Sequence, residues 1–210
     1  FDELKINENI LRGIYAHGFE KPSAIQIKSI PIILSDKDII AQAQSGTGKT
    51  GAFSIGTLCK IDESKEQIQS LILVPTRELA EQVYKVIQDI SSYTKITMLK
   101  VIGGTNVSMC REDLRKNPHI IIGTPGRILD MMHRRDLPTN AIQTLILDEA
   151  DEMLSYGFKD SIHDIIKYVP KNTQICLFSA TLPDDILELT TKFMNDPEKV
   201  LVKKDQLTLE

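Results

Sequence analysis

Residues Ile39–Thr50 read IIAQAQSGTGKT, an apolar run that becomes a glycine-bearing loop and ends on Gly48-Lys49-Thr50. The run Ile39–Ala43 is predicted to be a short buried strand, because a few apolar residues bounded by polar ones pack on both faces. The loop after it, Ser45-Gly46-Thr47-Gly48-Lys49-Thr50, fits the end of the GxxxxGK[ST] pattern, with Ala43 standing where the first glycine belongs. Glycines let such a loop fold tightly, so that its backbone N–H groups face phosphate oxygens at the start of a helix. In that arrangement Lys49 reaches the outer phosphates of a nucleoside triphosphate and Thr50 offers its hydroxyl to Mg²⁺. The plainer alternative is a flexible turn, and the strand–loop–helix setting counts against it.

On either side of this stretch the chain keeps the same rhythm. Further strands are predicted at Leu71–Val74, Thr97–Ile102, Ile120–Ile122, Leu145–Leu147, Ile175–Phe178 and Val200–Val202. Segments with helical spacing lie between most of them, among them Glu78–Ile90, Arg127–Arg134 and Asp184–Met194. Strands alternating with helices predict an α/β domain, a mainly parallel sheet covered by helices on both faces. Two further helices, near Glu8–His17 and Ser23–Leu34, precede the first strand. Ligands of such sheets bind beyond the carboxyl ends of the strands.

The bulk composition is compatible with this and excludes other classes. The 210 residues are 41% hydrophobic and 26% charged, as expected of a globular chain with one substantial core. No apolar stretch approaches the roughly 18 residues that span a bilayer. Net charge is −4, so any nucleic-acid site must be a local cluster rather than a basic surface. Cys59, Cys110 and Cys176 show no CxxC spacing and read as reduced thiols, favouring the cytosol with the nucleus as the alternative compartment. The four histidines, His17, His119, His133 and His163, lack metal-ligand spacing and read as structural. The opening FDELKINENI has neither an initiating Met nor a signal-like core, which points to a piece of a longer protein.

A second stretch, TLILDEADEML (Thr144–Leu154), drives an apolar strand straight into Asp148, Glu149 and Asp151. Carboxylates beside a core are costly unless a cation meets them. A solvated loop with acids in the first turn of a helix is the bland reading. With a phosphate loop upstream, Asp148 becomes the acid expected to hold Mg²⁺ and Glu149 the group that orients or deprotonates an attacking water. Asp151 is expected to bond a neighbouring loop rather than the metal.

These residues resemble the N-terminal RecA-like lobe of DEAD-box RNA helicases, and the resemblance covers nearly the whole chain. Asp148-Glu149-Ala150-Asp151 is similar to the family's signature, and Gly18-Phe19-Glu20-Lys21-Pro22-Ser23-Ala24-Ile25-Gln26 to its Q motif, with Phe1 as the isolated upstream aromatic. Pro75-Thr76-Arg77-Glu78-Leu79-Ala80 resembles motif Ia, Gly103-Gly104 the GG motif, Thr124-Pro125-Gly126-Arg127 motif Ib and Ser179-Ala180-Thr181 motif III. The wording between motifs, including the closing LVKKDQLTLE, is similar to the eukaryotic initiation factor 4A subgroup.

The resemblance implies ATP with Mg²⁺ as cofactors. It makes Lys49, Asp148 and Glu149 catalytic, and Phe19, Lys21, Gln26 and Ser45–Thr50 the nucleotide-binding residues. On spacing alone Gln26 reads as an exposed helix residue; only the resemblance assigns it to the adenine edge. Pro75, Thr76, Arg77, Gly103, Gly104, Thr124, Pro125, Gly126 and Arg127 become a track for a single-stranded RNA backbone, bound without regard to sequence. Singly, each has an ordinary reading as an N-cap, a turn or a surface arginine. Asp151, Ser179 and Thr181 become the link to closure against a second lobe. The implied division is an N-terminal segment over 1–35, packed on a RecA-like domain over 36–210. No arginine follows Arg135, so the arginine fingers that this chemistry needs are expected from a C-terminal lobe. Alone, the chain is expected to be nearly inactive. Translation or mRNA-processing proteins are the implied partners, and no membrane is. The alternatives are an ATP-gated RNA clamp or scaffold in mRNA processing and, less favoured, a nucleotide kinase or a GTPase, for which no NKxD stretch is present.

Overall fold

The computed structural model describes residues 1–203; the part of LVKKDQLTLE from 204 onward lies outside the described residues. Seven strands form one sheet: β1 (Ile39–Gln42), β2 (Ser70–Leu73), β3 (Met98–Val101), β4 (Ile120–Gly123), β5 (Thr144–Leu147), β6 (Gln174–Ser179) and β7 (Glu198–Leu201). They lie in the order β3-β4-β2-β5-β6-β1-β7, and every pairing is parallel. Two helices precede the sheet, α1 (Glu8–His17) and α2 (Ala24–Leu34). The remainder are α3 (Lys49–Cys59), α4 (Arg77–Ile90), α5 (Val107–Leu114), α6 (Pro125–His133), α7 (Ala150–Ser155), α8 (Lys159–Tyr168) and α9 (Asp184–Phe193).

The inner strands β2, β4, β5 and β6 are buried along their whole length, which is why their sequences are apolar throughout rather than alternating. Side chains nevertheless alternate between two cores, as the pleat requires. Ile39, Ala41, Ile72, Ile122, Ile146 and Phe178 face one core, shared with Phe53 of α3 and with Ile14 and Ile30 of α1 and α2. Ile40, Leu71, Leu73, Ile121, Leu145 and Leu177 face the other, with Met131, Ile165 and Leu189 of α6, α8 and α9.

All seven predicted strands are present, with ends shifted by a residue or two. The largest shift is at β7, which starts at Glu198 rather than Val200. This edge strand is exposed except at Val200, so its first residues carry no apolar signal. Helix α1 is tied to the body by a close crossing: a Cβ on Gly13 would run into the carbonyl oxygen of Ile90 at the end of α4.

Candidate nucleotide and nucleic-acid site

The phosphate loop leaves β1 at its carboxyl end. Gly46 and Gly48 take φ of +83° and +91°, values that L side chains adopt only with strain. Gly48 is the N-cap of α3 and no side chain caps that end, which leaves N–H groups for an anion. Ser45 and Gly46 are exposed and Thr50 is half-buried. Thr47 is turned inward, its hydroxyl donating to the Gln44 carbonyl at 2.7 Å. Its side chain therefore holds the loop's shape, and only its backbone is available to a ligand.

Lys49 meets the acidic stretch after β5. Its Nζ lies 2.9 Å from Asp148 Oδ1 and 3.4 Å from Glu149 Oε1, and this cation makes carboxylates tolerable at the edge of the core. Lys49 and Asp148 are 6% and 2% exposed. Burial raises the Asp148 carboxyl above its usual range although Lys49 opposes the shift. Glu149 has φ and ψ of 50°, a left-handed conformation that costs a non-glycine residue roughly 1 kcal/mol or more. That backbone bend lets consecutive acids, Asp148 and Glu149, converge on one ammonium group. Glu152 stands beside Glu149, and burial followed by that negative neighbour raises its carboxyl.

For a divalent cation, the Asp148 carboxylate and the Thr50 hydroxyl are hard oxygen donors of the kind Mg²⁺ takes. Among the described residues no cluster of three His, Cys, Asp or Glu could hold a metal. The donor set thus suits an ion that draws its other ligands from phosphate and water.

Gln26 departs from the spacing-based reading, for it is 3% exposed. Its Oε1 accepts from the Ser23 backbone N–H at 2.9 Å and its Nε2 donates to the Gly48 carbonyl at 3.1 Å. The amide is buried because it closes the capping box of α2 and spans to the phosphate loop. One N–H and one lone pair remain for a base edge. Phe19 is half-buried beside Gly51, stacked on Phe1 with centroids 6.3 Å apart and edge-on to His17 at 4.7 Å. Lys21 is exposed.

Asp151 bonds the loop after β6. Its Oδ2 accepts from the Thr181 hydroxyl at 2.8 Å and the Thr181 N–H at 3.1 Å, while its own N–H donates to Ser179 Oγ at 3.1 Å. Ser179 in turn donates to the Thr181 carbonyl at 2.7 Å. Burial raises the Asp151 carboxyl, but these hydrogen bonds outweigh it and hold the group below its ordinary range.

The residues after β2, β3 and β4 form a second group. Thr76 caps α4, accepting from the Leu79 N–H at 3.2 Å, so its ordinary role is realised. Arg77 is exposed and lies over the turn after β3, its Nη1 2.6 Å from where a Cβ on Gly104 would sit. Gly104 itself has φ +80°. Thr124 and Pro125 are buried at the start of α6, while Gly126 is exposed. Arg127 reaches back to that same turn and donates to the Thr105 hydroxyl and carbonyl, each at 3.1 Å. Two arginines from different helices thereby converge on Gly103–Thr105. Thr105 gave no signal in the sequence.

A parallel sheet with a phosphate loop after β1 and acids after β5, with β6 between the two strands, defines a RecA-like nucleotide-binding domain. The chain belongs to the DEAD/DEAH box helicase family, whose model matches residues 23–189. It is 55% identical to the ATP-dependent RNA helicase eIF4A of Schizosaccharomyces pombe and 53% identical to that of Candida albicans, in each case over all 210 residues. It spans 54% of the Schizosaccharomyces pombe protein, about half the length of the curated relatives it matches. Among solved structures it resembles a DEAD box protein of the hyperthermophile Methanococcus jannaschii, with TM-score 0.92 and 41% identity over 97% of this chain and 56% of that one. It also resembles Saccharomyces cerevisiae Dbp5 bound to RNA and ADP BeF3, with TM-score 0.89 and 36% identity over 98% of this chain and 52% of that one.

Proposed function

We propose that this chain is the ATP-binding lobe of an RNA-dependent ATPase and helicase of the translation-initiation type. In this reading α1, α2 and the sheet form one lobe that a second, C-terminal lobe completes. The observation that carries it is the meeting of Lys49 with Asp148 and Glu149 beneath a phosphate loop whose helix end is uncapped. When ATP binds, its phosphates take the N–H groups of Ser45–Thr50, and Lys49 exchanges carboxylate for phosphate partners. Mg²⁺, held by Asp148 and Thr50, supplies neutralising charge to those phosphates. Glu149, released from Lys49, orients a water and accepts its proton as the water attacks the terminal phosphorus; the bond to the β–γ bridging oxygen breaks, and ADP leaves with that oxygen. Phe19 and Gln26 hold the base, with Lys21 at the rim.

Single-stranded RNA lies along Arg77, Gly103–Gly104 and Thr124–Arg127, its phosphates meeting guanidinium and backbone N–H groups. No base-reading arrangement accompanies these groups, so binding is independent of sequence. The Asp151–Thr181–Ser179 network carries the state of the nucleotide site to the partner lobe. The relatives' name, eIF4A, supports a translation role, and three free cysteines favour the cytosol. The test is ATP turnover with and without single-stranded RNA, for this chain alone and mixed with its C-terminal half. RNA-stimulated turnover only in the mixture, abolished by Glu149→Gln, is expected. Robust turnover by this chain alone, indifferent to RNA, would refute the reading.

A further inference from the structure

The convergence of two arginines on one turn has a specific organiser. Thr105 receives both terminal nitrogens of Arg127, Nη1 on its hydroxyl and Nη2 on its carbonyl, each at 3.1 Å. The same hydroxyl donates to the Ile102 carbonyl at 2.8 Å, which anchors it to the end of β3. One residue on, the Asn106 side chain accepts from the N–H groups of Ser108 and Met109 and so fixes the turn to α5. Thr105 is therefore an exposed residue on a turn held at both ends. A guanidinium has five N–H donors; two of Arg127's are engaged here and Cys110 also lies against the group, leaving the remaining donors for a ligand. On the neighbouring residue Gly104, Arg77 lies where any side chain would sit.

We propose that Thr105 is a positioning residue for RNA: it clamps Arg127 in advance, so that Arg77 and Arg127 meet the backbone as a preformed pair. This rests on the phosphate-track reading above. An arginine held before binding loses less side-chain freedom when a phosphate arrives. Without the hydroxyl, Arg127 keeps only the carbonyl contact, on a turn that has also lost its tie to Ile102.

The experiment is a double-mutant cycle on the full-length protein carrying this chain. It reads affinity for single-stranded polyuridine with Mg²⁺ and a non-hydrolysable ATP analogue. Thr105→Val is expected to weaken RNA binding about three- to tenfold, the range of one net hydrogen bond. Thr105→Ser, which restores the hydroxyl, should bind RNA as the unaltered protein does. In an Arg127→Ala background, Thr105→Val should have no further effect. An equal loss from Thr105→Val in that background would overturn the proposal, because the residue would then act on the turn in general. Unchanged binding by Thr105→Val, where Arg127→Ala weakens it, would overturn the positioning role alone. Arg127→Ala without effect on RNA would overturn the phosphate track and the role of Thr105 with it.

Discussion

Replacing Gly51 by alanine separates the stability of the nucleotide lobe from its recognition of the base. Gly51 lies in the first turn of α3, and a Cβ there would sit 2.6 Å from Gln26 Nε2 and 3.2 Å from Phe19 Cε2. Ordinary contact begins near 3.4 Å, so the Gln26 amide must retreat by about 0.8 Å. Its bond to the Gly48 carbonyl, already 3.1 Å, then lengthens past the range of a hydrogen bond. That loss costs about 1 kcal/mol net, whereas alanine in place of glycine gains up to about 1 kcal/mol in a helix and somewhat less in its first turn. The two nearly cancel, so unfolding by urea should change by less than ~1 kcal/mol. Base recognition has no such offset, because both the amide and the Phe19 ring are displaced from where the adenine would lie. ATP affinity should fall about tenfold, corresponding to ~1.4 kcal/mol, and the preference for ATP over GTP should shrink. Competition binding with the two nucleotides and Mg²⁺ measures both. Gln26→Ala added to Gly51→Ala should change little more, since the amide is already out of place. Unchanged affinity and preference in Gly51→Ala, where Gln26→Ala alone loses them, would refute the argument that Gly51 sets the amide's position.

Two other perturbations probe the acidic edge. Lys49→Ala leaves the Asp148 carboxyl, 2% exposed, without its cation, and breaking a buried pair costs about 3–5 kcal/mol. Burial raises this carboxyl, so its neutral form is favoured in the folded state; the contribution is full at low pH and lost as pH rises through the folded value. The variant's deficit in urea unfolding should accordingly be smaller near pH 5 than near pH 8, and an equal deficit at both would refute the assignment. Thr181→Val removes a 2.8 Å hydrogen bond from Asp151, whose carboxyl is held below its ordinary range. Asp151 therefore contributes stability above about pH 4, its unfolded value, and loses it as pH falls through the folded one. The variant should unfold at a higher pH than the parent in an acid titration followed by circular dichroism, and coincident titrations would refute the role given to this bond.

The strands were legible because a parallel strand buried on both faces must be apolar along its length; Leu71-Ile72-Leu73 and Leu145-Ile146-Leu147 are examples. The phosphate loop was legible because its geometry demands glycine at fixed places, Gly46 and Gly48. Gln26 was not, for two physical reasons. Helix α2 reads AIQIKSIPIIL, so apolar residues nearly all round give no polar face against which to judge it. Its partner, the Gly48 carbonyl, lies 22 residues away. Thr105 was invisible for a similar cause: its importance comes from Arg127, which the sheet brings to its turn from α6.

The strand order also does something that chain order conceals. Along the chain the two groups of residues interleave: phosphate loop after β1, arginines and glycines after β2, β3 and β4, acids after β5, Ser179 at the end of β6 and Thr181 just beyond it. Across the sheet they separate, because β3, β4 and β2 lie side by side and β5, β6 and β1 lie next to them. The edge is thus divided into a guanidinium half and a nucleotide half that meet between β2 and β5. The nucleotide half contains Asp148, Glu149, Asp151 and Glu152, with Lys49 in contact with the first two. A nucleoside triphosphate adds further negative charge, and the arginines Arg77 and Arg127 are committed to the other half. The charge that would stabilise phosphoryl transfer must then come from outside these residues. This is the physical reason to expect turnover to depend on a second lobe.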